Sequence, residues 1–150
     1  VRLHLGVVEM PYADVTDSHA TTGDVAEILE AKYHIMQLFF DRHEQEIADA
    51  LANSVAGAVE NLLLGAPATN NPFGSAENEI RALFVMFLDK EELAGIKGVP
   101  TKAALDGVNS RLKNPKGGHV KPKKKIGKRR PSFIDTGLYR TAFLAWMEDY

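Results

Sequence analysis

Apolar residues fall into two helical stretches joined by a charged one. Val25, Ile28, Leu29, Ile35, Met36, Phe39 and Phe40 recur at spacings of three and four, the signature of one helical face. Charged residues from Asp41 to Glu46 interrupt the pattern, and Ile47, Leu51, Val55, Val59, Leu62 and Leu63 resume it until Gly65 and Pro67. Asp24 with Glu27 three positions on reads as an N-cap and capping box, with Thr21 and Thr22 just before it. Roughly forty helical residues would extend about 60 Å, whereas a compact domain of this length is roughly 30 to 35 Å across. The segment Asp24 to Leu64 is therefore expected either to bend near Asp41 to His43 or to cross between subunits.

The flanking patterns are shorter. Leu3, Leu5 and Val7 alternate at period two, as in a short strand or extended arm, and residues 13–23 form a polar loop. After the loop at 65–74, Ser75 is placed to cap a helix carrying Ile80, Leu83, Phe84, Phe87 and Leu88 on one face. Thr101 is placed to cap a short helix through about Leu112, with Ala104, Leu105 and Val108 inward. From Leu138 to Tyr150 the pattern supports two structures. Tyr139, Phe143 and Trp146 suit a helix, while Phe143, Ala145 and Met147 alternate like a strand. The expected fold is α+β and predominantly helical. It is a single domain, 1–150, with a long amphipathic helix, shorter helices and a small antiparallel β element.

Charge changes this picture more than composition does. Ten of the 18 Lys and Arg lie in residues 111–130, which contain no acid, while all 20 Asp and Glu lie elsewhere. The net charge of −2 thus divides into a body near −12 and a segment near +10. Residues 113–130 read as a flexible basic loop, because a Gly- and Pro-containing run of cations cannot bury apolar area. Arg111, Lys113, Lys116, Lys121, Lys123, Lys124, Lys125, Lys128, Arg129 and Arg130 are its candidate contacts. They can meet nucleic-acid phosphates, dock on the acidic surface of another copy or a partner protein, or remain a solvated loop. Only His119 and Ile126 interrupt the cations between Lys116 and Arg130 apart from Gly, Val and Pro, so no aromatic stacking platform for single strands is present.

Catalytic chemistry finds no footing. Without cysteine there are no disulfides, thiolate nucleophiles or Cys-ligated zinc. His43-Glu44-Gln45-Glu46 lacks the second His that a zinc-protease helix needs, so no metal or cofactor is expected. The serines have no nucleophile-elbow context, and the acids lie on solvated helical faces. No apolar run approaches the ~18 residues of a membrane span, and the first residues lack the basic start and apolar core of a secretion signal.

Downstream of the basic run, Asp135-Thr136-Gly137 forms a turn signature between Phe133 and Ile134 on one side and Leu138 and Tyr139 on the other. A structural corner at Phe133, Asp135, Thr136, Gly137 and Tyr139 is expected, with Trp146 the largest anchor of the C-terminal segment. The run Pro131-Ser132-Phe133-Ile134-Asp135-Thr136-Gly137-Leu138-Tyr139, followed by Arg140, Thr141 and an apolar stretch, resembles tail-completion and neck proteins of tailed bacteriophages. Val99-Pro100-Thr101, a short helix leading to Arg111 and Lys113, and the basic loop follow the same order of parts. The resemblance covers roughly residues 95–148. It implies a non-enzymatic, oligomeric ring subunit of the virion, assembled in the host cytoplasm and joining head connector to tail or capping the tail. The implied partners are copies of itself, other neck, portal or tail proteins, and DNA threading the channel, with no membrane. The alternative is a small nucleic-acid-binding accessory protein acting through the basic loop.

Overall fold

The computed structural model describes residues 1–12, 21–107, 128–134 and 137–148. The elements in chain order are strand β1 (Arg2–Val7), helices α1 (Thr22–Tyr33), α2 (Ile35–Leu63), α3 (Gly74–Asp89), α4 (Lys102–Asp106) and α5 (Leu138–Ala142), and strand β2 (Phe143–Glu148). The fold is α+β and mainly helical, with one two-stranded antiparallel sheet among the described residues.

The long helical pattern resolves into two helices. His34 adopts φ 52° and ψ 47°, ending α1 and starting α2. A left-handed residue reverses the local hand of the backbone, so the helix cannot continue through it. The Glu30 carboxylate accepts from the backbone amides of Met36 and Gln37, satisfying donors exposed by the break. The bend expected near Asp41 to His43 is present as well: His43 departs from helical dihedrals at φ −115° and ψ 18°.

The cap of α1 is Thr21 rather than Asp24. Its hydroxyl accepts from the Asp24 amide, and the Asp24 carboxylate accepts in return from the Thr21 amide at 2.8 Å. The capping box is therefore real but lies three residues earlier than expected. Ser75 does not cap α3, whose N-cap is Phe73. Its hydroxyl lies 2.5 Å from that of the buried Ser54, which donates to the Pro72 carbonyl. Thr101 does cap α4, accepting from the Ala104 amide. That helix closes at Asp106 because Gly107 turns left-handed, so it does not reach Leu112. Ala104 is buried as expected, but Leu105 is about half exposed; Val108 lies outside the described residues.

The core sits where α2 and α3 pack antiparallel beneath the sheet. Phe39 of α2 is fully buried and touches Phe84, Phe87 and Phe143 at ring-centroid distances of 5.2, 5.4 and 5.9 Å. Phe84 stacks on Phe143 at 3.9 Å. Leu3, Leu5 and Val7 of β1 face the same core and pair with Met147, Ala145 and Phe143 of β2. Strand parity places Trp146 on the opposite side, where it stacks on His4 and is 43% exposed. The C-terminal anchor is thus Phe143, not Trp146. The strand reading holds for Phe143, Ala145 and Met147, whereas of the helix reading only Tyr139 lies in a helix, because α5 gives way to β2 at Phe143.

Helix α3 begins opposite Ser54, so α2 continues for nine residues past that point, roughly 14 Å at 1.5 Å per residue. Val55, Val59, Leu62, Leu63 and Leu64 on this overhang are exposed, Leu63 at 82% and Leu64 at 79%. In the second half of the apolar stripe Ile47 is buried in the core and Leu51 packs against it. From Val55 onward the stripe does not supply the core, contrary to its periodicity, and no described residue covers it.

Candidate interaction site

The described end of the basic run meets the structural corner in a groove of about 460 Å³. Helix α1 supplies one wall through Val25, Ile28 and Leu29, and α4 supplies Ala103 and Ala104. Pro131, Phe133, Ile134, Gly137 and Tyr139 line it as well. Lys32 and Arg130 bring positive charge, and no carboxylate is among the described lining residues.

Arg130 ties the segment down. Its backbone amide donates to the Ala104 carbonyl, and its guanidinium donates to the Ile134 carbonyl at 2.5 Å. The neighbouring Arg129 pairs with Glu91 at 3.0 Å, while Lys128 is exposed. Arg111, Lys113, Lys116, Lys121, Lys123, Lys124 and Lys125 lie outside the described residues, as do Asp135 and Thr136 of the corner. The structure thus brings Arg130, Phe133, Gly137 and Tyr139 together and leaves Trp146 apart, on the outer face of the sheet.

Two backbone conformations shape the groove. Phe133 sits at φ 67°, a left-handed conformation that costs a bulky residue about 1–2 kcal/mol. It directs the ring into an edge contact with Tyr33, 4.9 Å between centroids. Gly137 is at φ 79°, and a Cβ there would meet nothing within 4 Å. The need for glycine is therefore conformational, not steric. Gly137→Val is expected to lower stability by about 1–3 kcal/mol; an unchanged midpoint in urea denaturation would contradict this.

Tyr139 is the buried polar group of the site. Its ring lies 6.0 Å from that of Phe84, and its hydroxyl is buried with no hydrogen-bond partner. Burial pushes the phenol above its usual range, and the nearby Glu30 carboxylate and Tyr12 push it further. The hydroxyl therefore stays protonated. Sequence reading selected Tyr139 as a corner residue but passed over Tyr12, Lys32 and Tyr33, whose long-range convergence has no local signal.

Elsewhere, His43 contacts Glu92 through Nε2 at 2.9 Å, and its ring packs on Phe39 and Phe87. Among the described residues no group of three or more His, Asp or Glu is placed to hold a metal ion. None of the described helices is long and apolar enough to cross a membrane. No family model, curated protein or solved structure matches the chain.

Proposed function

We propose that this protein is a structural subunit of a tailed-phage virion that assembles with copies of itself at the neck or tail terminus. The observation that carries this reading is the overhang of α2. Five apolar residues, Val55, Val59, Leu62, Leu63 and Leu64, project past the start of α3 with no cover from the described residues. Contiguous exposed apolar surface of this kind marks an association site. A second copy is the occupant, because the chain carries an acidic body and a basic segment that attract one another between identical subunits. Contacts of that head-to-tail type close into a ring when the rotation between neighbours closes.

The resemblance around Pro131 to Tyr139 points the same way. The described cations weigh toward protein docking over nucleic acid: Arg129 engages Glu91, and Arg130 engages two backbone carbonyls. Both already use a protein surface. A salt titration against generic duplex DNA, alongside electron microscopy of the purified protein, separates the readings. The virion reading expects closed rings and little DNA affinity at physiological salt. Tight DNA binding with a log–log salt slope of several units, and no rings, would favour the accessory nucleic-acid-binding protein.

A further inference from the structure

We infer that the two apolar surfaces are the halves of one contact: the α2 overhang of one copy seats in the groove between α1, α4 and the corner segment of the next. The inference rests on the self-assembly reading and supplies the surface that receives the overhang. Placement, shape and rim charge carry it.

Placement comes first. Tyr33 lines the groove and lies just before α2, whereas Leu63 and Leu64 lie at the far end of that helix. The 29 residues of α2 set the two surfaces roughly 40 Å apart at 1.5 Å per residue. The overhang therefore cannot fill its own groove. Pairing of overhang with overhang would be isologous, would stop at a dimer and would leave the groove uncovered. Seating in the groove of the next copy covers both surfaces and repeats around a ring. Shape agrees with this. Val55, Val59, Leu62 and Leu63 recur at three and four, the anchor pattern of a helix laid in an apolar groove. Val25, Ile28, Leu29, Phe133 and Ile134 furnish the apolar lining, with Ile28 63% exposed along α1. Rim charge supplies the register. Glu60 is the only charged residue between Asp49 and Glu77, and it lies one turn before Leu63 and Leu64. Lys32 follows Ile28 by one turn, is exposed, and rests over the Tyr33 ring at 5.1 Å. Neither charge has an ion-pair partner among the described residues. Their meeting across the contact fixes orientation more than affinity.

Two variants of the full-length chain, each disabled on one side, test the contact by sedimentation velocity. Leu62→Lys/Leu63→Lys spoils the overhang and keeps the groove. Ile28→Lys, at an exposed position, spoils the groove and keeps the overhang. Each should sediment as a monomer with the parent's urea midpoint, at a concentration where the parent associates. Mixed in equal amounts, they retain one intact contact between them, so a 1:1 dimer that grows no further is expected. Lys32→Glu should weaken association about three- to fivefold, and adding Glu60→Lys to the same chain should restore it. A parent that stays monomeric refutes self-assembly, and this inference with it. With an associating parent, the inference alone is overturned if Ile28→Lys associates like the parent, which is the result for overhang paired with overhang. It is also overturned if the mixture stays monomeric, or if Glu60→Lys fails to restore Lys32→Glu.

Discussion

Phe39→Ala is expected to lower the stability of the fold by about 3–5 kcal/mol, the range for truncating a fully buried aromatic side chain. Phe39 lies on the first half of α2 and is the residue through which α2, α3 and β2 meet, contacting Phe84, Phe87, Phe143 and His43. Truncation leaves a cavity that three separate elements would have to collapse to fill, and close-packed elements relax only in part. Trp146→Ala provides the comparison. It removes a larger side chain, but one that is partly exposed and rests on His4 and over Gly6. Its cost should be well below that of Phe39→Ala. Urea denaturation of the two variants checks the ranking, and a larger loss for Trp146→Ala would contradict the assignment of the core.

The second large effect is on assembly. Leu62→Lys with Leu63→Lys should abolish self-association while changing the stability of the isolated chain by no more than about 0.5 kcal/mol. Both side chains are exposed and make no contribution to the core. Lysine is also well tolerated at a helix C-terminus, where it complements the dipole. A structural role for these residues within one chain would instead lower the denaturation midpoint, and unchanged association would place the interface elsewhere.

Much of the fold was legible because its periodicities are local. The alternation at Leu3, Leu5 and Val7, the spacing of Ile80, Phe84 and Phe87, and the cap at Thr101 each yield the observed element. What escaped were features decided by long-range packing. His34 breaks the long helix without a Gly or Pro to announce it, and its left-handed backbone is supported by Glu30 capping the next helix. Trp146 looked like the main anchor by size, but pairing to β1 fixed its parity and turned it outward. The stripe from Val55 to Leu63 has the spacing of a core face, yet α3 begins too late to cover it. Periodicity shows which residues share a face, not whether anything lies against that face.

The groove was half legible. The corner pattern and the end of the cationic run identified Arg130, Phe133, Gly137 and Tyr139. Their partners on α1 come from about a hundred residues upstream, and only the tertiary fold joins them.

Sedimentation equilibrium of the unmodified protein at tens of micromolar, in physiological salt, tests self-assembly most directly. A single closed stoichiometry, lost in the Leu62→Lys/Leu63→Lys variant, is the predicted result. A monomer that persists as concentration rises would contradict it.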